Sequence, residues 1–186
     1  MCSGQSNMEW PLSRSFEPAG DIAASANPKI RLFPVPKLRA LEPVNDVKAE
    51  WKECGPETVK DFSAVAYYFG RALQRTRNVP IGLIHTSWGG SPAEVWMSKT
   101  ALTLDPDYRR DIWESFAATE QKYQTDLAQW QKEKADAEKA GTKFERGRPW
   151  APWRPSELYN GMIAPIIPFA ISGAIWYQGE SNAGRA

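Results

Sequence analysis

Two short runs, Val79-Pro-Ile-Gly-Leu-Ile-His85 and Ile171-Ser-Gly-Ala-Ile-Trp-Tyr177, are almost wholly apolar and lack the polar alternation of a half-exposed strand. A strand that meets water on one face alternates; a strand covered on both faces does not. Each run therefore reads as a buried strand of a parallel sheet. Each also runs straight into a polar, Gly-containing stretch: Thr86-Ser-Trp-Gly-Gly-Ser-Pro after the first, Gln178-Gly-Glu-Ser-Asn182 after the second. Open α/β sheets bind ligands in loops at such strand ends.

The remaining segments fit an α/β chain. Residues 29–33 alternate and end at Pro34 and Pro36, which predicts a strand, and a second short strand is expected near residues 50–52. Residues 11–28 read as loop with one short helix. Over residues 58–77 the spacing predicts a helix capped by Thr58 and ended by Asn78, with Phe62, Val65, Phe69, Ala72 and Leu73 as its buried face. Residues 107–140 are highly charged and strongly helical, with an apolar stripe of Trp113, Phe116, Tyr123, Leu127 and Trp130 and a stop at Gly141. A continuous helix there would be about 50 Å long. Residues 105–150 are accordingly expected to be an insertion, a protruding helix or a bent helical pair with a Trp/Arg-rich loop, within one domain spanning 1–186. That loop, over residues 142–157, carries Lys143, Arg146, Arg148, Trp150, Trp153 and Arg154. It would bind an anionic sugar or fold back over the core.

Composition removes several function classes. The 23 basic and 22 acidic residues nearly cancel, which argues against a nucleic-acid footprint or a membrane-surface patch. There is no apolar run long enough to span a bilayer and no signal-peptide pattern at Met1. Cys2 and Cys54 form one disulfide or remain free thiols; two cysteines and one histidine are too few for a disulfide scaffold or a zinc site, and no metal or cofactor is expected. Nine Trp and 15 Pro suit a loop-rich enzyme or a surface that stacks on sugars.

A third polar turn lies at the start of the chain, where Ser6 sits among Gly4, Gln5 and Asn7. A serine lifted on a turn is how an enzyme exposes a nucleophile. Its chemistry, shared with the other two loops, would be acyl transfer, with backbone N–H groups and an amide side chain holding the developing oxyanion.

Gly-Gln-Ser-Asn-Met (4–8), Trp-Gly-Gly-Ser-Pro-Ala-Glu-Val-Trp (88–96) and Trp-Tyr-Gln-Gly-Glu-Ser-Asn (176–182) resemble, in order, the first three sequence blocks of the SGNH/GDSL hydrolase superfamily, and within it the sialate O-acetylesterase branch. The resemblance implies a three-layer α/β/α sandwich with a mostly parallel, flavodoxin-like sheet. It implies a serine esterase that removes O-acetyl groups from sugars, with an O-acetylated sugar as its partner and no cofactor. Ser6 would be the nucleophile. The N–H groups of Ser6 and of Gly89 or Gly90 would line the oxyanion hole, and Gln178 or Asn182 would add a side-chain donor. Glu180 would orient the catalytic histidine or bond to the loop backbone. Trp88, Glu94 and Trp96 read as substrate-binding. Relatives of this kind are often exported.

The resemblance leaves a gap. The superfamily's Asp-x-x-His block has no match, and only five residues precede Ser6, so the chain reads as cut at both ends. His85, the single histidine, ends a buried strand and is read as structural rather than as the general base. The chain alone is therefore expected to have little or no esterase activity. The competing expectation is a non-catalytic carbohydrate-binding or interaction module that keeps the Trp-rich loops.

Overall fold

The computed structural model describes residues 1–185. Its chain divides into two compact units, Met1–Trp96 with Ser156–Ala186, and Met97–Pro155.

The first unit is an α/β fold around a five-stranded sheet. The strands are β1 (Cys2–Gly4), β2 (Asn27–Pro34), β3 (Lys52–Cys54), β4 (Ile81–Ser87) and β5 (Ile175–Tyr177), in the order β3-β2-β4-β1-β5. Only the β2–β3 pair is antiparallel. The register places Gly4 beside Ser87 on one side and Tyr177 on the other. The C-terminal ends of three adjacent parallel strands therefore lie side by side, and each leads into one of the three polar loops.

The helices of this unit are α1 (Ser6–Glu9), α2 (Pro18–Ala23), α3 (Pro56–Val59) and α4 (Ala64–Arg77). The single helix expected over 58–77 is thus two helices. Hydrogen bonds from residues 10–13 break it. The carbonyls of Lys60 and Phe62 accept from Ser13 and Leu12, at 2.8 and 2.9 Å, and the Ala64 amide donates to Trp10 O at 2.8 Å. Those groups would otherwise continue the helical ladder. Ser63 caps α4 instead, its Oγ accepting from Ala66 N–H at 3.1 Å, and Asn78 ends it in the left-handed conformation, as its sequence position suggested.

The buried face of α4 also differs from expectation. Ala66, Tyr67, Gly70 and Gln74 face inward, while Phe69 is 45% exposed. Gly70 contributes to this: a methyl there would stand 2.6 Å from Leu83 Cδ1, so a larger residue would require the Leu83 side chain to move. Around that contact the core gathers Leu12, Ile30, Leu32, Val59, Phe62 and Tyr67. Burial of such side chains is worth roughly 1.5–3 kcal/mol each. Another expectation fails at β5. It is three residues long rather than seven, and Trp176 and Tyr177 are half exposed, because the strand lies at the sheet edge with β1 as its one partner among the described residues.

Cys2 and Cys54 are both buried free thiols in this core. Burial pushes each up to about 11, so neither supplies thiolate near neutral pH. The native chain is expected to resist Ellman's reagent at pH 8 and to react at both cysteines once unfolded in urea. Fast reaction of the folded chain would contradict the burial of these thiols.

The second unit contains α5 (Lys99–Leu104), α6 (Pro106–Tyr108), a π-helical segment Arg109–Glu114, and α7 (Phe116–Ala140). The longest helix is therefore 25 residues, about 37 Å, and Gly141 closes it in the left-handed conformation. The Trp/Arg loop folds back along the apolar stripe. Trp130 donates to Arg146 O at 2.8 Å, Arg146 pairs with Glu133 at 2.7 Å, and Arg154 pairs with Glu120 at 2.9 Å and lies over Phe116. Two of the loop's cations are thus neutralised by carboxylates of α7.

Candidate active site

Everything around Ser6 depends on how β1 ends. Gly4 has φ +141°, and a methyl there would meet Tyr177 O at 2.0 Å. With glycine in place, Gln5 N–H reaches Tyr177 O at 3.0 Å and Trp88 N–H reaches Gly4 O at 3.1 Å. The first loop is thereby tied by backbone to both of the others.

Side chains complete the tie. Gln178 Nε2 donates to Gln5 Oε1 and to Ser91 O, each at 2.8 Å, so both of its amide protons are engaged. Asn182 joins the second and third loops: its Oδ1 accepts from Ala93 N–H at 2.8 Å and its Nδ2 donates to the buried Glu94 at 3.0 Å. Trp96 is buried and gives its indole N–H to Ser91 Oγ at 2.9 Å, with Trp176 edge-on at 6.0 Å. Glu94 and Trp96 therefore lie inside the scaffold of the second loop, whereas Trp88 is half-buried beneath Lys37, whose Nζ sits 5.2 Å from the ring centroid.

Ser6 is exposed and opens α1, so its own N–H lies beyond the reach of that helix's hydrogen bonds. Gly89 packs directly against it; a methyl on Gly89 would stand 3.3 Å from Ser6 Cβ. The Gly89 N–H does not point to open space but donates to Glu9 Oε2 at 2.5 Å. Glu9 Oε1 in turn binds Lys37 Nζ. Gly90, at φ +76°, has no hydrogen bond from its N–H to any described residue. Asn7, next to the serine, donates to the Glu180 carboxylate.

His85 lines the same pocket as Ser6, yet no hydrogen bond joins them among the described residues. Its Nε2 shares a 2.5 Å hydrogen bond with Ser87 Oγ, and Phe62 packs edge-on at 5.2 Å. Burial lowers its pKa from 6.5 to about 4, with Glu9 and Lys37 exerting smaller, opposed effects.

The first two loops held more than sequence reasoning assigned. Gln5 is buried as the acceptor at the centre of the three loops, receiving Gln178 and, at 3.4 Å, Ser181 N–H. Glu9 and Ser91 are the other unforeseen members. Glu9 stands three residues after Ser6, a spacing that shares a face only once the turn is known to be helical.

A serine on a tight strand-to-helix turn, flanked by a Gly-Gly loop and a Gln-Gly-Glu loop at adjacent strand ends, is the arrangement of the SGNH hydrolases. No protein-family model matches the chain. Individual proteins do. It is 33% identical to sialate O-acetylesterase of Mus musculus, over 98% of this chain and 35% of that protein. The Rattus norvegicus enzyme is 32% identical with the same coverage. A carbohydrate acetylesterase from Xanthomonas citri superimposes with a TM-score of 0.69 and 31% identity, covering 98% of this chain and 32% of that one. The chain belongs to the sialate O-acetylesterase-like branch of these hydrolases, and it spans about a third of the length of the relatives it matches.

Proposed function

We propose that the chain carries the nucleophile and oxyanion half of a carbohydrate O-acetylesterase. Ser6 attacks the acetyl carbonyl, the sugar hydroxyl leaves, and water hydrolyses the acetyl-serine to acetate. The observation that carries the reading is the convergence of three loops at Gly4, which sets Ser6 against the Gly89-Gly90 turn. The Ser6 and Gly90 N–H groups are the two backbone donors, because Glu9 already holds Gly89. A side-chain donor from Gln178 requires it to release Gln5 or Ser91; Asn182 keeps one Nδ2 proton beyond that given to Glu94. Glu180, anchored beside Ser6 through Asn7, orients the base. The base itself is a histidine supplied from outside these 186 residues, since His85 is turned to Ser87.

With p-nitrophenyl acetate, turnover by the 186-residue chain is expected at least about a thousandfold below that of a complete serine hydrolase. A fluorophosphonate, which reacts with a base-activated serine, should leave Ser6 of this chain unlabelled and label it in a longer protein that carries the histidine, where Ser6→Ala should abolish labelling. Label that persists in Ser6→Ala would refute the nucleophile. Rapid acetate release lost in both Ser6→Ala and His85→Ala would make His85 the base.

A further inference from the structure

An ion pair, Glu9 with Lys37, lines the pocket that opens on Ser6. Glu9 gives one carboxylate oxygen to Lys37 and turns the other to the Gly89 N–H, which donates at 2.5 Å. A methyl on Gly89 would stand 3.1 Å from that second oxygen and 3.3 Å from Ser6 Cβ, so carboxylate and serine press on the same glycine. One side chain thus ties the turn that carries Ser6 to the loop that faces it.

Each partner is itself anchored. Glu9 N–H donates to Gln5 O at 2.9 Å, which closes α1, and Met8 beside it is buried in the core. Lys37 follows β2, where Val35 N–H donates to His85 O at 3.0 Å, and its Nζ lies 5.2 Å from the centre of the Trp88 ring. The Gly-Gly turn depends on this anchor. Among the described residues, the Glu9 carboxylate is the one hydrogen-bond partner of the Gly89 and Gly90 N–H groups.

The charges explain why two residues are needed. A carboxylate holds an amide more tightly than a neutral acceptor does. Beside the serine it would also oppose the negative charge that develops on the substrate oxygen. Lys37 cancels that charge while leaving the amide held.

We propose that Glu9 is a positioning residue for acyl transfer at Ser6: its carboxylate holds the Gly89 peptide so that the Gly90 N–H is presented to the oxyanion, and Lys37 neutralises it. This rests on the reading of Ser6 as an esterase nucleophile and deepens it. The side chains of the pair are 33% and 42% exposed, and ion pairs of that kind add little to folding, so their loss should be felt in catalysis rather than in the fold.

The test is steady-state hydrolysis of p-nitrophenyl acetate by a longer protein that carries the histidine. Glu9→Ala should lower kcat by about ten- to a hundredfold with KM little changed, because a displaced donor matters most in the transition state. Glu9→Gln, which keeps an acceptor for the amide, should recover most of that loss. Lys37→Met should lower kcat about fivefold, and adding Glu9→Gln to it should bring the rate back to that of Glu9→Gln alone, since no carboxylate then faces the oxyanion. Unchanged kcat in Glu9→Ala, or Glu9→Gln as slow as Glu9→Ala, overturns the positioning role. A double variant as slow as Lys37→Met overturns the neutralising role of Lys37. Amide NMR of the 186-residue chain gives a readout independent of turnover. The Gly89 amide proton should resonate far downfield, and in Glu9→Ala it should move upfield and exchange faster with solvent; an unmoved resonance overturns the contact itself. Ser6→Ala in the longer protein reports separately on the esterase reading. Turnover that survives it removes the nucleophile and the positioning role together, whereas turnover lost in Ser6→Ala but unchanged in Glu9→Ala removes the positioning role alone.

Discussion

Gly4→Ala is expected to lower the melting temperature by roughly 10 °C or more, the signature of a loss above about 4 kcal/mol in a chain of this size. Two independent costs meet at this residue. Its φ of +141° is one that side chains rarely adopt, and the added Cβ would lie 2.0 Å from Tyr177 O and 2.7 Å from Tyr177 C. Relief requires β1 and β5 to separate. That separation breaks the Gln5–Tyr177 hydrogen bond and carries Gln178 away from Gln5. Stability and site geometry should therefore fail together. Gly20→Ala is the control: no atom lies within 4 Å of its added Cβ, it sits in α2, and it should be neutral or slightly stabilising. Circular dichroism melts of the two variants decide the matter. A Gly4→Ala melt within about 2 °C of the unmodified chain would mean that β1 and β5 do not approach as described.

The same glycine shows what a sequence reader could and could not see. Two of the loops were legible because each follows an apolar run, the Ser6 turn only through its own residues and the block it resembles, and parallel strands place their ends at one sheet edge whatever their order. That β1 lies between β4 and β5 was not legible, because strand order follows from pairing across more than 80 residues. The need for glycine at position 4 follows from that order. The amides mislead for a related reason. Gln178 and Asn182 each look like a donor waiting for an oxyanion, but both are half-buried and spend amide protons between the loops, and their partners Gln5, Ser91, Ala93 and Glu94 come from two other segments. The break in the 58–77 helix has the same origin: nothing local in that stretch forbids helix, and the groups that interrupt it belong to residues 10–13.

His85 provides the second large effect, and its sign follows from its pKa. Burial lowers the folded-state value from 6.5 to about 4. The unfolded chain therefore takes up a proton as pH falls through 6.5, while the folded chain does not until about pH 4. Stability contributed by the neutral imidazole is complete above pH 6.5 and is lost progressively down to pH 4, a total of about 3 kcal/mol. Urea midpoints measured from pH 7 to pH 4.5 should fall steadily in the unmodified chain. In His85→Gln, which keeps an amide within reach of Ser87, that part of the slope should vanish, leaving the carboxylates to act at lower pH. Parallel slopes in the two proteins would mean that His85 is not held neutral by burial. The measurement also bears on catalysis. An imidazole that stays neutral to about pH 4 is a weak proton acceptor at pH 7, and one bonded to Ser87 is turned from Ser6. A steep, His85-dependent loss of stability in acid, together with fluorophosphonate labelling of Ser6 that survives His85→Gln in a longer protein carrying the base, would separate the two residues by role: Ser6 for the chemistry, His85 for the strand end that supports it.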